Sequence, residues 1–166
     1  MGHSTTGIDD FLALLEAYDI ELIADVRRFP GSRRLPHFAA DALAASAGER
    51  GIAYHWFPEL GGRRRADPQS PNTTWRNLAF RAYADHVASE EFAGGLFELL
   101  MLANGLRTVI MCAEVLWWRC HRRLIADVLT SLDVAVFDIL DPIKADMHHL
   151  TLPARLVGGQ LTYLPD

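Results

Sequence analysis

"RTVIMCAEVLWWRCHRRLIADVLTSL", residues 107–132, decides the fold. It opens on a short apolar run, "TVIM", with the look of a strand buried on both faces. From Leu116 the pattern changes. Leu116, Cys120, Leu124 and Val128 recur at every fourth position, which predicts a helix over 116–132. A buried strand running directly into a helix is the repeating unit of a parallel α/β sheet.

The same alternation extends outward. "ELIADVR" (21–27) and "IAYHWFPEL" (52–60) read as further strands, and "VAVFDIL" (134–140) as a last one. "IDDFLALLEAYDI" (8–20) has Phe11, Leu14, Leu15 and Tyr18 at helical spacing, with Thr6 or Asp9 as its cap. "AADALAASAGERG" (39–51) predicts a helix ending near Gly48 to Gly51, and residues 75–105 a helical stretch broken near Gly94. In the tail, Gly158–Gly159 predicts a small hairpin. The expected architecture is one α/β domain over 1–166, with a mostly parallel central sheet covered on both faces. Its opening strand is shortened, because only Met1 and Gly2 precede His3.

Composition narrows the function. Nothing resembles a membrane span or a secretory leader, so a cytoplasmic protein with reduced thiols is expected. Net charge is −5, yet residues 27–81 hold ten Arg against four acidic residues. That asymmetry speaks against an extended polyanion surface and for a local anion site. Neither GxGxxG nor a P-loop is present, so no dinucleotide cofactor is expected.

In parallel sheets, ligands bind at the carboxyl ends of the strands. His3 stands where the shortened strand ends, Asp25 and Arg27 end the next, and Cys112 and Glu114 end "RTVIM". His121 follows on the predicted helix. These are the candidate catalytic groups, with Glu114 or Asp25 as base or nucleophile and His3 or His121 as proton shuttle. Arg27, Arg34, Arg63 and Arg122 are candidate anion binders. Gly61 and Gly62 would let backbone approach a ligand closely. Trp117 and Trp118 cannot both face the core from adjacent helical positions, so Trp118 is a candidate for stacking on a base. Cys120 reads as a buried structural thiol. The spacing of Cys112, Glu114, Cys120 and His121 lacks the close pairs of zinc motifs, so a metal is not expected.

Six stretches occur in the order "GHST", "DVRRFPGSRRLPHF", "FPELGGRRR", "WRNLAFRAYADHV", "MCAEVLWWRCHRRLIAD" and "HHLTLPAR". Together they resemble the domain of unknown function 488 family. The resemblance implies a small Rossmann-like three-layer α/β sandwich and assigns no activity. It marks His3, Ser4, Asp25, Arg27, Ser32, Phe38, Leu60, Gly61, Gly62, Arg63, Tyr83, Cys112, Glu114, Cys120, His121 and Arg122, with His148. Members usually carry a longer strand before "GHS", a point at which this chain departs.

Three functions fit these residues. The favoured one is a hydrolytic enzyme acting on a nucleotide or nucleic-acid-linked substrate, with an N-glycosidic bond as one target. Carboxylates, a stacking aromatic and no cofactor suit that chemistry. The alternatives are a non-enzymatic module binding a nucleotide or nucleic acid, and thiol or metal chemistry centred on Cys112. A small anionic, nucleotide-like ligand is the expected partner.

Overall fold

The computed structural model describes residues 1–31 and 33–165. Its centre is a parallel sheet of β1 (Leu22–Asp25), β2 (Ala53–Trp56) and β3 (Thr108–Met111), in the order β2-β1-β3. The N-terminal segment extends the sheet by a single parallel bridge, Gly2 to Cys112. His3 N–H donates to the Cys112 carbonyl at 3.1 Å and Ser4 N–H to the Ala113 carbonyl at 2.9 Å. Gly2 is confined, since a Cβ there would lie 1.8 Å from the Glu114 carbonyl oxygen.

Side chains alternate across β1 and so divide the core in two. Ile23 joins Phe11, Leu12 and Leu15 of α1 (Ile8–Glu16) and Leu43 and Ala47 of α2 (Ala40–Gly48). Ala24 joins the opposite core, built by α3 (Leu78–Val87), α4 (Glu90–Ala103) and α5 (Arg122–Ser131). The result is the expected α/β sandwich, helices on both faces of a parallel sheet.

Four expectations are corrected. First, α1 has no side-chain cap; Gly7 holds the cap position, and Asp9 and Asp10 favour the helix through its dipole instead. Second, the break in residues 75–105 falls at Ala88–Ser89. Ser89 accepts from Phe92 N–H at 3.2 Å, and Glu90 and Glu91 follow in the first turn of α4, so a new helix starts there. Gly94 lies inside α4. Third, 134–140 does not join the parallel sheet. β4 (Phe137–Ile139) pairs antiparallel with β5 (Ala145–Met147). Fourth, 116–132 is not one helix. Trp117–Arg119 form a 3-10 turn, and Cys120 is extended at φ −120°, ψ 151°. α5 starts only at Arg122, whose guanidinium turns back to the Glu114 and Val115 carbonyls.

The tail behaves as expected. β6 (Arg155–Val157) and β7 (Gln160–Thr162) form a hairpin across Gly158 and Gly159, at φ 59° and 82°. Both central residues of a tight hairpin turn need positive φ, which glycine adopts without strain. A buried network seats this segment on α5. Asp127 accepts from the Thr151 backbone N–H at 2.8 Å, the Thr151 hydroxyl at 2.7 Å and the Tyr163 hydroxyl at 3.1 Å. His148 bridges Asp127 at 3.2 Å and Asp138 at 2.8 Å.

Candidate active site

A crevice of about 410 Å³ opens at the carboxyl ends of the strands. Cys112, Ala113 and Glu114 line it after β3, and Arg27, Arg28, Phe29 and Gly31 after β1. Gly62 and Arg63 come from the loop after β2, Ala79, Phe80 and Tyr83 from α3, and Arg119, Cys120 and His121 from the turn before α5.

Cys112, Cys120 and His121 are the densest group. Their sulfur and nitrogen atoms all lie within 4.8 Å of one another. Neither cysteine is in a disulfide. His121 Nε2 lies 2.9 Å from the Val26 carbonyl. A carbonyl can only accept, so Nε2 carries the proton and Nδ1 presents its lone pair. That lone pair points at Cys120 Sγ, 3.5 Å away. Two neighbours hold the ring. Tyr83 packs against it at 4.9 Å, and a Cβ on Gly62 would stand 2.7 Å from Nδ1. Gly62 is thus required by close approach to a side chain. The Cys112 thiol, hydrogen-bonded to it, and the Arg122 charge beside it hold the Cys120 sulfur well below the ordinary thiol range. The same pairing, together with burial, pushes Cys112 up.

Several candidates serve a different purpose from the one expected. Asp25 is fully buried and grips Arg27 through both carboxylate oxygens, with the Tyr54 hydroxyl donating at 2.7 Å. Arg27 also donates to the Phe38 carbonyl at 2.8 Å, so its guanidinium is consumed inside the protein and is no phosphate clamp. Asp25 is closed off from solvent by Arg27 and Tyr54. His3 stacks on Phe38 at 4.0 Å, with Nδ1 on the Ser4 carbonyl and Nε2 facing Arg27. Burial and then the Arg27 charge bring its pKa down to about 4. Ser4 contributes backbone, held at φ 42°. These residues brace one another beside the crevice, which Arg27 also lines.

Arg122 is buried and donates to Cys120 Sγ at 3.4 Å as well as to backbone, while its Nη1 finds no hydrogen-bond partner among the described residues. The Tyr83 hydroxyl donates to the Leu60 carbonyl at 2.6 Å. A Cβ on Gly61 would sit 2.8 Å from Arg28 Cα, so that glycine brings two strand-end loops together. Arg34 is exposed outside the crevice, as is Trp118, whose ring meets Trp117 edge-on at 5.5 Å. Neither tryptophan lines the crevice, where Phe29, Phe80 and Tyr83 form the aromatic wall. Ser32 lies outside the described residues.

What remains facing the crevice is Glu114, Arg63 and Arg119. Glu114 is exposed and accepts from Leu116 N–H through Oε1 at 3.1 Å. Arg63, at φ 58°, points away from Arg64, which is tied down by Glu91 and by the Pro58, Glu59 and Gly61 carbonyls. Neither Arg63 nor Arg119 forms an ion pair among the described residues. Reasoning from sequence missed Arg119, because a continuous helix sends it to a different face.

No helix among the described residues is long and apolar enough to cross a membrane. No curated protein matches this chain, and no solved structure does. A family model, described as a domain of unknown function, matches residues 7–129. The matched stretch covers well over half the chain and contains the whole crevice. The chain therefore belongs to the DUF488 family.

Proposed function

We propose that the crevice is the active site of a hydrolytic enzyme acting on a small anionic, nucleotide-like substrate. One observation carries this reading: an exposed carboxylate and two guanidinium groups that form no ion pair among the described residues line the same strand-end crevice. Arg63 and Arg119 neutralise the substrate's phosphate, which Arg binds bidentately. Phe29 and Phe80 offer faces on which a base stacks. Glu114 takes a proton from water as the oxygen attacks the substrate, for example the sugar carbon of an N-glycosidic bond. The scissile bond breaks and its leaving group is protonated by solvent. Asp25, Arg27 and His3 hold the strand ends that carry these groups and touch no substrate.

The test is a screen of nucleotides, nucleosides and short oligonucleotides by thermal shift, followed by product analysis on each ligand that stabilises. Glu114→Gln should lower turnover about 100-fold or more while retaining binding. Arg63→Ala and Arg119→Ala should weaken binding and steepen no other property. An unchanged rate in Glu114→Gln sinks the hydrolytic reading. Binding with no product from any ligand leaves a recognition module in its place.

A further inference from the structure

We infer that Cys112, Cys120 and His121 form a three-ligand site for a zinc-type divalent cation, its fourth position facing the crevice. Their separation in sequence argues against such a site, but the strand-to-turn geometry overrides it. Cys112 directly follows β3 and Cys120 returns to it through the Trp117–Arg119 turn.

Geometry carries the proposal. Ligands of a tetrahedral zinc, at about 2.3 Å for sulfur and about 2.1 Å for nitrogen, stand about 3.6 Å apart from each other. Cys120 Sγ and His121 Nδ1 are 3.5 Å apart. The third atom, Cys112 Sγ, is within 4.8 Å of both. Two thiolates and one imidazole also match the softness of zinc better than that of magnesium or calcium.

The surroundings are those of a metal-binding histidine. Its remote N–H is anchored to a backbone carbonyl, here Val26, which fixes both the tautomer and the ring direction. Gly62 and Tyr83 close on the ring from outside. Arg122 donates to Cys120 Sγ, an outer hydrogen bond to a ligand sulfur. Two thiolates cancel the charge of a divalent ion, so the cluster becomes neutral when loaded. Three protein ligands with the fourth place left to water or substrate is the arrangement of catalytic rather than structural zinc. Such an ion supplies a Lewis acid beside Glu114.

The proposal stands independently of the substrate class, because it is read on the protein alone. The full chain is purified with a phosphine reductant, its metal content measured, and the chelator-stripped protein titrated with cobalt(II). The expected result is a single ion per chain, with tetrahedral cobalt bands and a sulfur-to-cobalt charge-transfer band. Cys112→Ser and Cys120→Ser should each weaken that band, and Cys112→Ser/Cys120→Ser should abolish it. His121→Gln should lose tight binding, and Arg63→Ala should keep it. The wild-type spectrum reads the ligand set even where a variant fails to fold. Failure of the reduced wild type to take up metal overturns the proposal, as does a cobalt spectrum without sulfur ligation. Either failure leaves the Glu114→Gln test untouched.

Discussion

His148 makes a sharp pH prediction. It is buried between two carboxylates, with Nε2 on Asp127 and Nδ1 on Asp138, and the Trp117 ring edge-on at 5.1 Å. Burial alone would lower its pKa, but the two hydrogen-bonded carboxylates outweigh it and raise it from 6.5 to about 9. A raised folded pKa means that the stabilisation is fully present below the unfolded value. It is lost as pH rises through the folded value. Each unit is worth about 1.4 kcal/mol, so the clasp contributes about 3 kcal/mol near neutral pH and below. His148→Gln removes the titrating charge and retains one donor. Urea unfolding of both proteins should show a stability gap that narrows by about 3 kcal/mol from about pH 6 to about pH 9. Comparing the two proteins cancels other groups that titrate in this window. A gap of constant size across it would mean that His148 is folded in its neutral form, and the reasoning would fail.

Five further substitutions test the packing. Asp25→Asn leaves the buried Arg27 guanidinium uncompensated and should cost about 3–5 kcal/mol in denaturant unfolding. Tyr54→Phe, which removes only one donor from the same carboxylate, should cost about 1 kcal/mol; equal costs would refute the brace. Gly62→Ala forces its Cβ to within 2.7 Å of His121 Nδ1, so it should displace the ring. The His121 imidazole resonances report that displacement, and unshifted resonances would exclude the contact. In α4, Gly94→Ala meets nothing within 4 Å and should stabilise by up to about 1 kcal/mol. Gly95→Ala meets Glu59 Cβ at 2.8 Å and should destabilise by about 1–3 kcal/mol instead. The same sign for both would contradict the packing of α4 on the Pro58–Leu60 turn.

Much of the architecture was legible because local patterns carry it. Short apolar runs followed by amphipathic stretches identify β1, β2, β3 and their helices, since each pattern is written in neighbouring residues. The Gly158–Gly159 turn is legible for the same reason, as few residues tolerate two successive positive φ angles. Strand-end logic also led to Cys112 and Glu114, because a parallel sheet directs its carboxyl ends to one edge. Polar side chains near that edge are less readable. Asp25 and Arg27 sit two apart, a spacing that on a strand puts both on one side. The spacing is compatible with a pair, but the Tyr54 and Phe38 groups that complete its burial lie far along the chain.

Tertiary structure alone decided the rest. Periodicity placed Cys120 on an apolar helix face, but Arg122 satisfies the Glu114 and Val115 carbonyls and Cys120 becomes extended beneath β3. That one departure brings two sulfurs and an imidazole together and turns Trp118 away. Likewise, three consecutive arginines at 63–65 are equivalent in sequence. Glu91 and three loop carbonyls claim Arg64, and Arg63 faces the crevice. Local sequence sets the elements through propensity and period. Which polar atoms end up paired, and which stay available for chemistry, depends on contacts between residues far apart along the chain.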